Sequence, residues 1–314
     1  MGTDAASTRT TGTLTAIAVA GALIALLAPA YATSTPQGRA APELSTTDTA
    51  ARAGTRHAAA PPGGLTARAW TLTDAETGRV LAAKEAHRQL APASTLKTLF
   101  ALTVLPKFPA DMVRTVTAAD LKGVGEGSSL VGIKKGQRYK VADLWRGVFL
   151  RSGNDAVHVL ANMNGGWRAT AQEMQLKARS LGAQDTVVKT PDGYDAPGQV
   201  SSASDLALFA RKGLENADFA KYCATVRASF PGGSRGPYDI VNTNRMLSGT
   251  KGVPRYPGVI GVKNGFTSKA GNTLIAAAKR DGRTLVATVL APSKKKNAVY
   301  KEAATLLSWG FNAN

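Results

Sequence analysis

Near the end of the chain, two apolar runs, Asn272–Lys279 and Arg283–Ala291, flank a turn at Asp281-Gly282. Asp-Gly tolerates the positive φ that both central residues of a tight hairpin turn require, so this stretch commits the chain to antiparallel strand pairing. A second hairpin is predicted earlier, with arms Ala67–Thr73 and Arg79–Lys84 around Glu76-Thr77-Gly78. The short apolar run Val259–Val262 reads as one more strand. Together these give an antiparallel sheet of about five strands, a common size for such sheets. Helices are expected over it, including a last one from Ala298 to Trp309. The middle of the chain is helical instead. Val141–Leu150 and Asp155–Met163 flank a tight turn at Gly153, Arg168–Leu181 stops at Gly182, and Ser202-Ala203-Ser204-Asp205 caps a helix over Leu206–Lys212. The expected class is α/β in the α+β sense: a five-stranded antiparallel sheet flanked by helices, plus an all-helical subdomain.

Three polar motifs punctuate this plan in a fixed order: Ser94-Thr95-Leu96-Lys97, Ser152-Gly153-Asn154 and Lys263-Asn264-Gly265. Each is weak alone. Ser-x-x-Lys recurs at Ser248/Lys251 and Ser293/Lys296, but the first of these holds a glycine and precedes Gly252 and Pro254, and the second follows Pro292. Both read as loop. Only Ser94 opens a helical stretch, ending before Pro106. Residues three apart on a helix share a face, so Lys97 can reach the Ser94 hydroxyl. Ser-Gly-Asn alone is an ordinary helix-capping turn, and Lys263 alone an ordinary strand lysine. The joint occurrence carries the argument.

The chemistry they fit is acyl transfer through a serine ester. A serine hydroxyl needs a neighbouring base to become a nucleophile. His57, His87 and His158 are the only histidines, and none lies in a motif. Lys97 can serve if burial and nearby cations lower its pKa. Lys263 would be such a cation and would attract an anionic substrate. The backbone N–H of Ser94, free at a helix start, and that of Phe266 would form an oxyanion hole. Ser152 would relay protons, Asn154 would hold a substrate carbonyl, and Gly265 would let a substrate backbone approach closely. Asp155 and His158 read as structural neighbours.

From about Trp70 to Phe311 the chain resembles the serine-type D-alanyl-D-alanine carboxypeptidases, the low-molecular-mass penicillin-binding proteins. The resemblance rests on Pro92–Lys97, Ser152–Ala156, Gly261–Thr267 with Ala270-Gly271, and Leu306–Phe311. It implies a β-lactamase/transpeptidase-like fold with the site between the two parts. It also implies Ser94 as acyl-ester nucleophile, Lys97 as general base, Ser152 and Asn154 as second-motif residues and Lys263 as the cation. The substrate implied is a peptidoglycan stem peptide, with β-lactams as inhibitors. The family usually has threonine where this chain has Asn264, whose amide can donate a similar bond to a substrate carboxylate. The family also tends to place a carboxylate-binding arginine near the last strands. None follows Arg283 here, which leaves Lys294–Lys296 as substitutes.

The N-terminus fits export. Arg9, the apolar stretch Leu14–Leu27 and Ala30-Tyr31-Ala32 read as a cleavable signal over residues 1–32. Residues 33–64, rich in Ala, Thr, Pro and Gly, read as a disordered linker, and 65–314 as the catalytic domain. The expectation is therefore a cell-wall-associated or secreted enzyme with no stable membrane anchor after cleavage. The formal net charge is +18, nearly all of it after residue 64. No nucleic-acid-binding motif accompanies it, so anionic wall polymers are the expected attraction. Cys223 is expected to be a small buried residue, and no residue spacing suggests a metal or other cofactor. The alternatives are a serine β-lactamase, for which Glu173 is the tempting water-activating carboxylate, and an idle penicillin- or wall-binding module.

Overall fold

The computed structural model describes residues 60–313. The expected signal (1–32) and all but the last residues of the expected linker (33–64) lie outside them. Strands β1 (Ala69–Asp74) and β2 (Val80–Lys84) form the first hairpin. The last three strands are β7 (Val259–Thr267), β8 (Gly271–Arg280) and β9 (Arg283–Leu290), preceded by short pairs β3 (Val113–Thr115) with β4 (Arg138–Lys140) and β5 (Arg227–Phe230) with β6 (Tyr238–Val241). The main sheet has five antiparallel strands in the order β2-β1-β9-β8-β7. Asp281 and Gly282 both have positive φ, as the Asp-Gly hairpin turn requires.

The helices are α1 (Lys97–Val104), α2 (Val141–Leu150), α3 (Asn154–Met163), α4 (Trp167–Ser180), α5 (Ala203–Leu214), α6 (Ala217–Ala224), α7 (Arg245–Ser248) and α8 (Ala298–Asn312). Ser202 caps α5 by accepting from the Asp205 N–H at 3.1 Å, the bond expected from its sequence. The part expected to be all-helical also contains the β3–β4 and β5–β6 ladders. Their strands of three or four residues are too short to show a periodic pattern.

Strand alternation sets the two cores. Leu274, Ala276 and Ala278 of β8 face α8 with Leu285, Ala287, Val299, Ala303, Leu306 and Leu307. The intervening Ile275 and Ala277 face the helical part, whose core includes Leu99, Phe100, Trp145, Phe149 and Phe209. Gly310 of α8 has no room for a side chain, since a Cβ there would sit 2.5 Å from Leu72. Cys223 is buried and unpaired as expected, against Gly261, and burial pushes its thiol up to about 12. Among the described residues no helix is long and apolar enough to cross a membrane.

Candidate active site

Ser94 lies in a single 3₁₀ turn, Ala93–Leu96, that runs directly into α1. The helix expected to open at Ser94 therefore starts with a tighter turn. The Pro92 carbonyl accepts from the hydroxyls of Thr95 and Thr273, which pins this turn to β8. Lys97, the first residue of α1, returns its side chain to Ser94. Its Nζ donates to Ser94 Oγ at 2.8 Å and to the Asp192 carbonyl at 2.7 Å. The side chain is 1 % exposed. Burial pulls its pKa down to about 8, against the opposing pull of Asp192 and Asp155.

The second motif follows α2. The left-handed residue of the turn is Ser152, with φ +57°, one position before the Gly153 expected from sequence. Gly153 supplies room instead: a Cβ there would fall 2.7 Å from Asp155 Oδ1 and 3.1 Å from the Val131 nitrogen. A serine held in this region costs about 1–3 kcal/mol, so its surroundings must fix it. Part of that fixing comes from Asp155, whose carboxylate accepts from the N–H groups of Val131, Gly132 and Ile133 at 3.0, 2.8 and 2.9 Å. These bonds hold the loop before β4 against α3. The same loop meets Asn154, whose backbone N–H donates to the Ser129 carbonyl and whose Nδ2 donates to Ser128 Oγ at 3.0 Å. His158 stacks on Trp167 with ring centres 3.9 Å apart, a packing role.

The third motif belongs to the edge strand β7, which runs past the expected Val259–Val262 to include it. Lys263 Nζ donates to Ser152 Oγ at 3.0 Å and to the Asn264 carbonyl at 2.8 Å. It is as buried as Lys97. Burial, and then the neighbouring Lys97 charge, push its amine well below the usual lysine range. Two serine–lysine pairs thus face one another across the junction of the helical part and the sheet. Gly265 lies against the Ser94 turn. A Cβ there would sit 2.6 Å from Thr273 Oγ1, 2.7 Å from the Ser94 nitrogen and 3.0 Å from Ala93 Cβ. Gly265→Ala should push β7 off the Ser94 turn and slow acylation of Ser94 by about 10²-fold, the effect of an ångström-scale misplacement. Stopped-flow acylation by a chromogenic β-lactam would measure it, and an unchanged rate would refute the role given to this contact.

Ser94, Asn154 and Phe266 line one cavity of about 240 Å³, with Ser128, Glu126 and Asp195 on its walls. Phe266 is 68 % exposed, and its side chain borders this space. Asn264 lines a second pocket on the other side of Phe266, and its Oδ1 accepts from Thr243 Oγ1 at 3.1 Å. The basic side chains there are Arg151, Arg245 and Lys251. Lys294–Lys296, offered above as substitutes for the missing arginine, are exposed and line neither pocket. They follow Pro292 in the turn that leads away to α8.

Sequence reasoning missed Asp192, which takes the second Lys97 hydrogen bond, and the wall residues Tyr194 and Asp195. The Asp192-Gly193 dipeptide, a turn signal, was the available clue. Gly193 has φ +80°, and a Cβ there would overlap the Ala93 carbonyl. Glu173 is absent from the cavity. It pairs with Lys107 on the surface and accepts from Asn164 Nδ2 at 2.8 Å. Among the described residues no group of three or more His, Cys, Asp or Glu side chains could hold a metal.

The sequence pattern of the D-alanyl-D-alanine carboxypeptidases matches residues 55–294. D-alanyl-D-alanine carboxypeptidase DacB2 of Mycobacterium tuberculosis is 38% identical over 252 residues, covering 79% of this chain and 83% of DacB2. DacF of Bacillus subtilis is 30% identical, with 78% of this chain covered, but the match spans only 62% of that longer protein. The crystal structure of D-alanyl-D-alanine carboxypeptidase from Mycobacterium tuberculosis H37Rv superposes with a TM-score of 0.75 at 37% identity, covering 82% of this chain and 95% of that one. A five-stranded antiparallel sheet beside a helical part, two serine–lysine pairs with buried lysines at their junction and these matches lead to one assignment: the chain belongs to the D-alanyl-D-alanine carboxypeptidase family.

Proposed function

We propose that this chain is an exported serine peptidase that removes the terminal D-alanine from peptidoglycan stem peptides through an acyl-enzyme on Ser94, and that penicillins acylate the same serine. The observation that carries the reading is the 2.8 Å contact between Ser94 Oγ and a Lys97 amine whose pKa lies near 8. An amine with that pKa is part neutral at working pH and can take the hydroxyl proton.

In the proposed sequence, Ser94 Oγ attacks the carbonyl of the penultimate D-alanine as its proton passes to Lys97. The N–H groups of Ser94 and Phe266 stabilise the oxyanion, and Asn154 holds the peptide. Ser152, hydrogen-bonded to Lys263, relays the proton held by Lys97 to the departing amine, which returns Lys97 to its neutral form. The C–N bond breaks, D-alanine leaves, and water cleaves the ester to restore Ser94. The terminal carboxylate of the leaving residue is received by the basic pocket beside Asn264, where Arg245 and Lys251 stand in for the missing arginine. Its arrival would raise the Lys263 pKa, because an anion favours the charged amine.

Residues 1–32 serve as the export signal, 33–64 as a linker and 65–314 as the catalytic domain. The positive surface holds the enzyme near anionic wall polymers. The reading predicts release of D-alanine from a pentapeptide ending in D-Ala-D-Ala, and a long-lived penicilloyl ester on the peptide containing Ser94. The acylation rate should rise with pH through a midpoint near 8, since the reactive form of Lys97 is the deprotonated one. Mass spectrometry across a pH series checks all three. Rapid repeated hydrolysis of benzylpenicillin without D-alanine release would favour a β-lactamase, although Glu173 sits in no position to activate water for one.

A further inference from the structure

Between Val187 and Val200 the chain makes a loop that reaches Lys97 with no helix or strand of its own. Two backbone hydrogen bonds between Val187 and Val200 close its base. Its far side touches the site at four places. The Asp192 carbonyl accepts from Lys97 Nζ at 2.7 Å. Gly193 packs against the Ala93 carbonyl. Tyr194 Oη donates to the Glu126 carbonyl at 2.8 Å, and Asp195 Oδ2 accepts from the Lys269 N–H at 3.0 Å.

One side chain braces this loop from within. Gln199 is 2 % exposed, although glutamine is ordinarily a surface residue. Its Oε1 accepts from the N–H groups of Lys189 and Thr190 at 2.9 and 2.7 Å. Its Nε2 donates to Thr190 Oγ1 at 3.0 Å and to the Tyr194 carbonyl at 2.6 Å. Those two N–H groups and that carbonyl have no backbone partner among the described residues, so the Gln199 amide takes the place of a strand ladder across the loop. It joins the two residues after Val188 to the residue two positions past Asp192, and so fixes the segment that carries the Asp192 carbonyl.

We infer that Gln199 is a positioning residue for acylation of Ser94: it braces the loop so that the Asp192 carbonyl meets the Lys97 amine. The inference rests on the proposed function, in which Lys97 is the base. A neutral amine has two N–H donors and one lone pair, and the lone pair must face Ser94 Oγ to take its proton. A carbonyl that accepts one N–H at 2.7 Å turns the amine toward that orientation. The same carbonyl favours the charged amine, because it accepts from it. The ionisable groups that act on Lys97 are Asp192, Asp155 and His158 of α3, and Lys263 of β7. Gln199 is uncharged and hydrogen-bonds to none of them, so exchanging it for another neutral residue reaches Lys97 only through the loop.

The test is single-turnover acylation by a chromogenic β-lactam across a pH series, in the unsubstituted protein, Gln199→Met and Thr190→Val, with folding checked by thermal unfolding. Methionine nearly conserves the glutamine volume and makes none of these hydrogen bonds. In Gln199→Met the limiting acylation rate at high pH should fall about 10–10²-fold, the scale of a small misplacement. The midpoint of the pH profile should move about half a unit to one unit lower as the carbonyl withdraws from the amine. The β-lactam concentration giving half the limiting rate should change little. Thr190→Val removes the bond from Nε2 to Thr190 Oγ1 and keeps those to Lys189 and Tyr194, so it should shift rate and midpoint less, in the same directions. A folded Gln199→Met protein with an unchanged or higher midpoint, or with only its β-lactam affinity altered, would overturn the inference and leave the proposed function standing. If that variant does not fold, a Thr190→Val profile identical to that of the unsubstituted protein decides against the inference in the same way. An unsubstituted protein that forms no ester on Ser94 would overturn the proposed function and the inference with it.

Discussion

Ser94→Ala should lower D-alanine release by on the order of 10⁶-fold and abolish covalent labelling by penicillin, the scale seen when a serine nucleophile is removed. The fold should survive. The change deletes one oxygen from a turn held by the bonds of Thr95 and Thr273 to the Pro92 carbonyl, neither of which involves Ser94. Lys97 loses one acceptor but keeps the Asp192 carbonyl at 2.7 Å. Thermal unfolding should therefore shift by only a few degrees, a stability change of about 1 kcal/mol. Label that persists, or that maps to a different serine, would remove Ser94 from the mechanism.

Lys97→Arg is expected to slow acylation by about 10²–10⁴-fold, the range attributed to a positioned general base. Arginine keeps the positive charge but is not deprotonated in proteins, so the variant separates a base from an electrostatic stabiliser. Because the guanidinium is bulkier than the buried amine it replaces, Lys97→Met is the companion variant. It nearly conserves the volume, removes the charge and should be equally inactive. It should also let the Lys263 amine rise toward its ordinary range, because Lys97 is one of the two causes that lower it. Pre-steady-state acylation by a chromogenic β-lactam reads both variants. If the arginine variant acylates at near the original rate, the base lies elsewhere.

Where local sequence determined geometry, the chain was legible. The Asp281-Gly282 turn fixed the β8–β9 register, and with it the sheet strand that carries Thr273 to the Ser94 turn. The spacing of Ser94 and Lys97 placed them on one face, which the 2.8 Å contact bears out. What escaped depends on contacts between segments far apart in the chain. Asp192 is a partner of Lys97 through its backbone carbonyl, which its side chain does not advertise. The left-handed residue falls on Ser152 because Gly153 is needed for its missing side chain, between Asp155 and Val131. Propensity alone would have given the glycine the positive φ. Arg245 and Lys251 came to the pocket beside Asn264 because α7 and the turn after it pack next to β7, a juxtaposition no periodicity encodes.

The strand order β2-β1-β9-β8-β7 has a consequence for the order in which the molecule can assemble. Strand β1 lies near the start of the described residues, yet one of its two neighbours, β9, lies near their end. Until Arg283–Leu290 has been synthesised, the β1–β2 hairpin is a two-stranded ribbon with an unpaired edge, and α8 is not there to cover its apolar face. Such a hairpin is marginally stable alone, and closing so long a loop slows folding. Ser94 is therefore translated early and seated late. A growing chain carries Ser94 for most of its synthesis without the strand that supplies Lys263 or the sheet that seats its turn, so the two serine–lysine pairs come together only when the final hairpin docks.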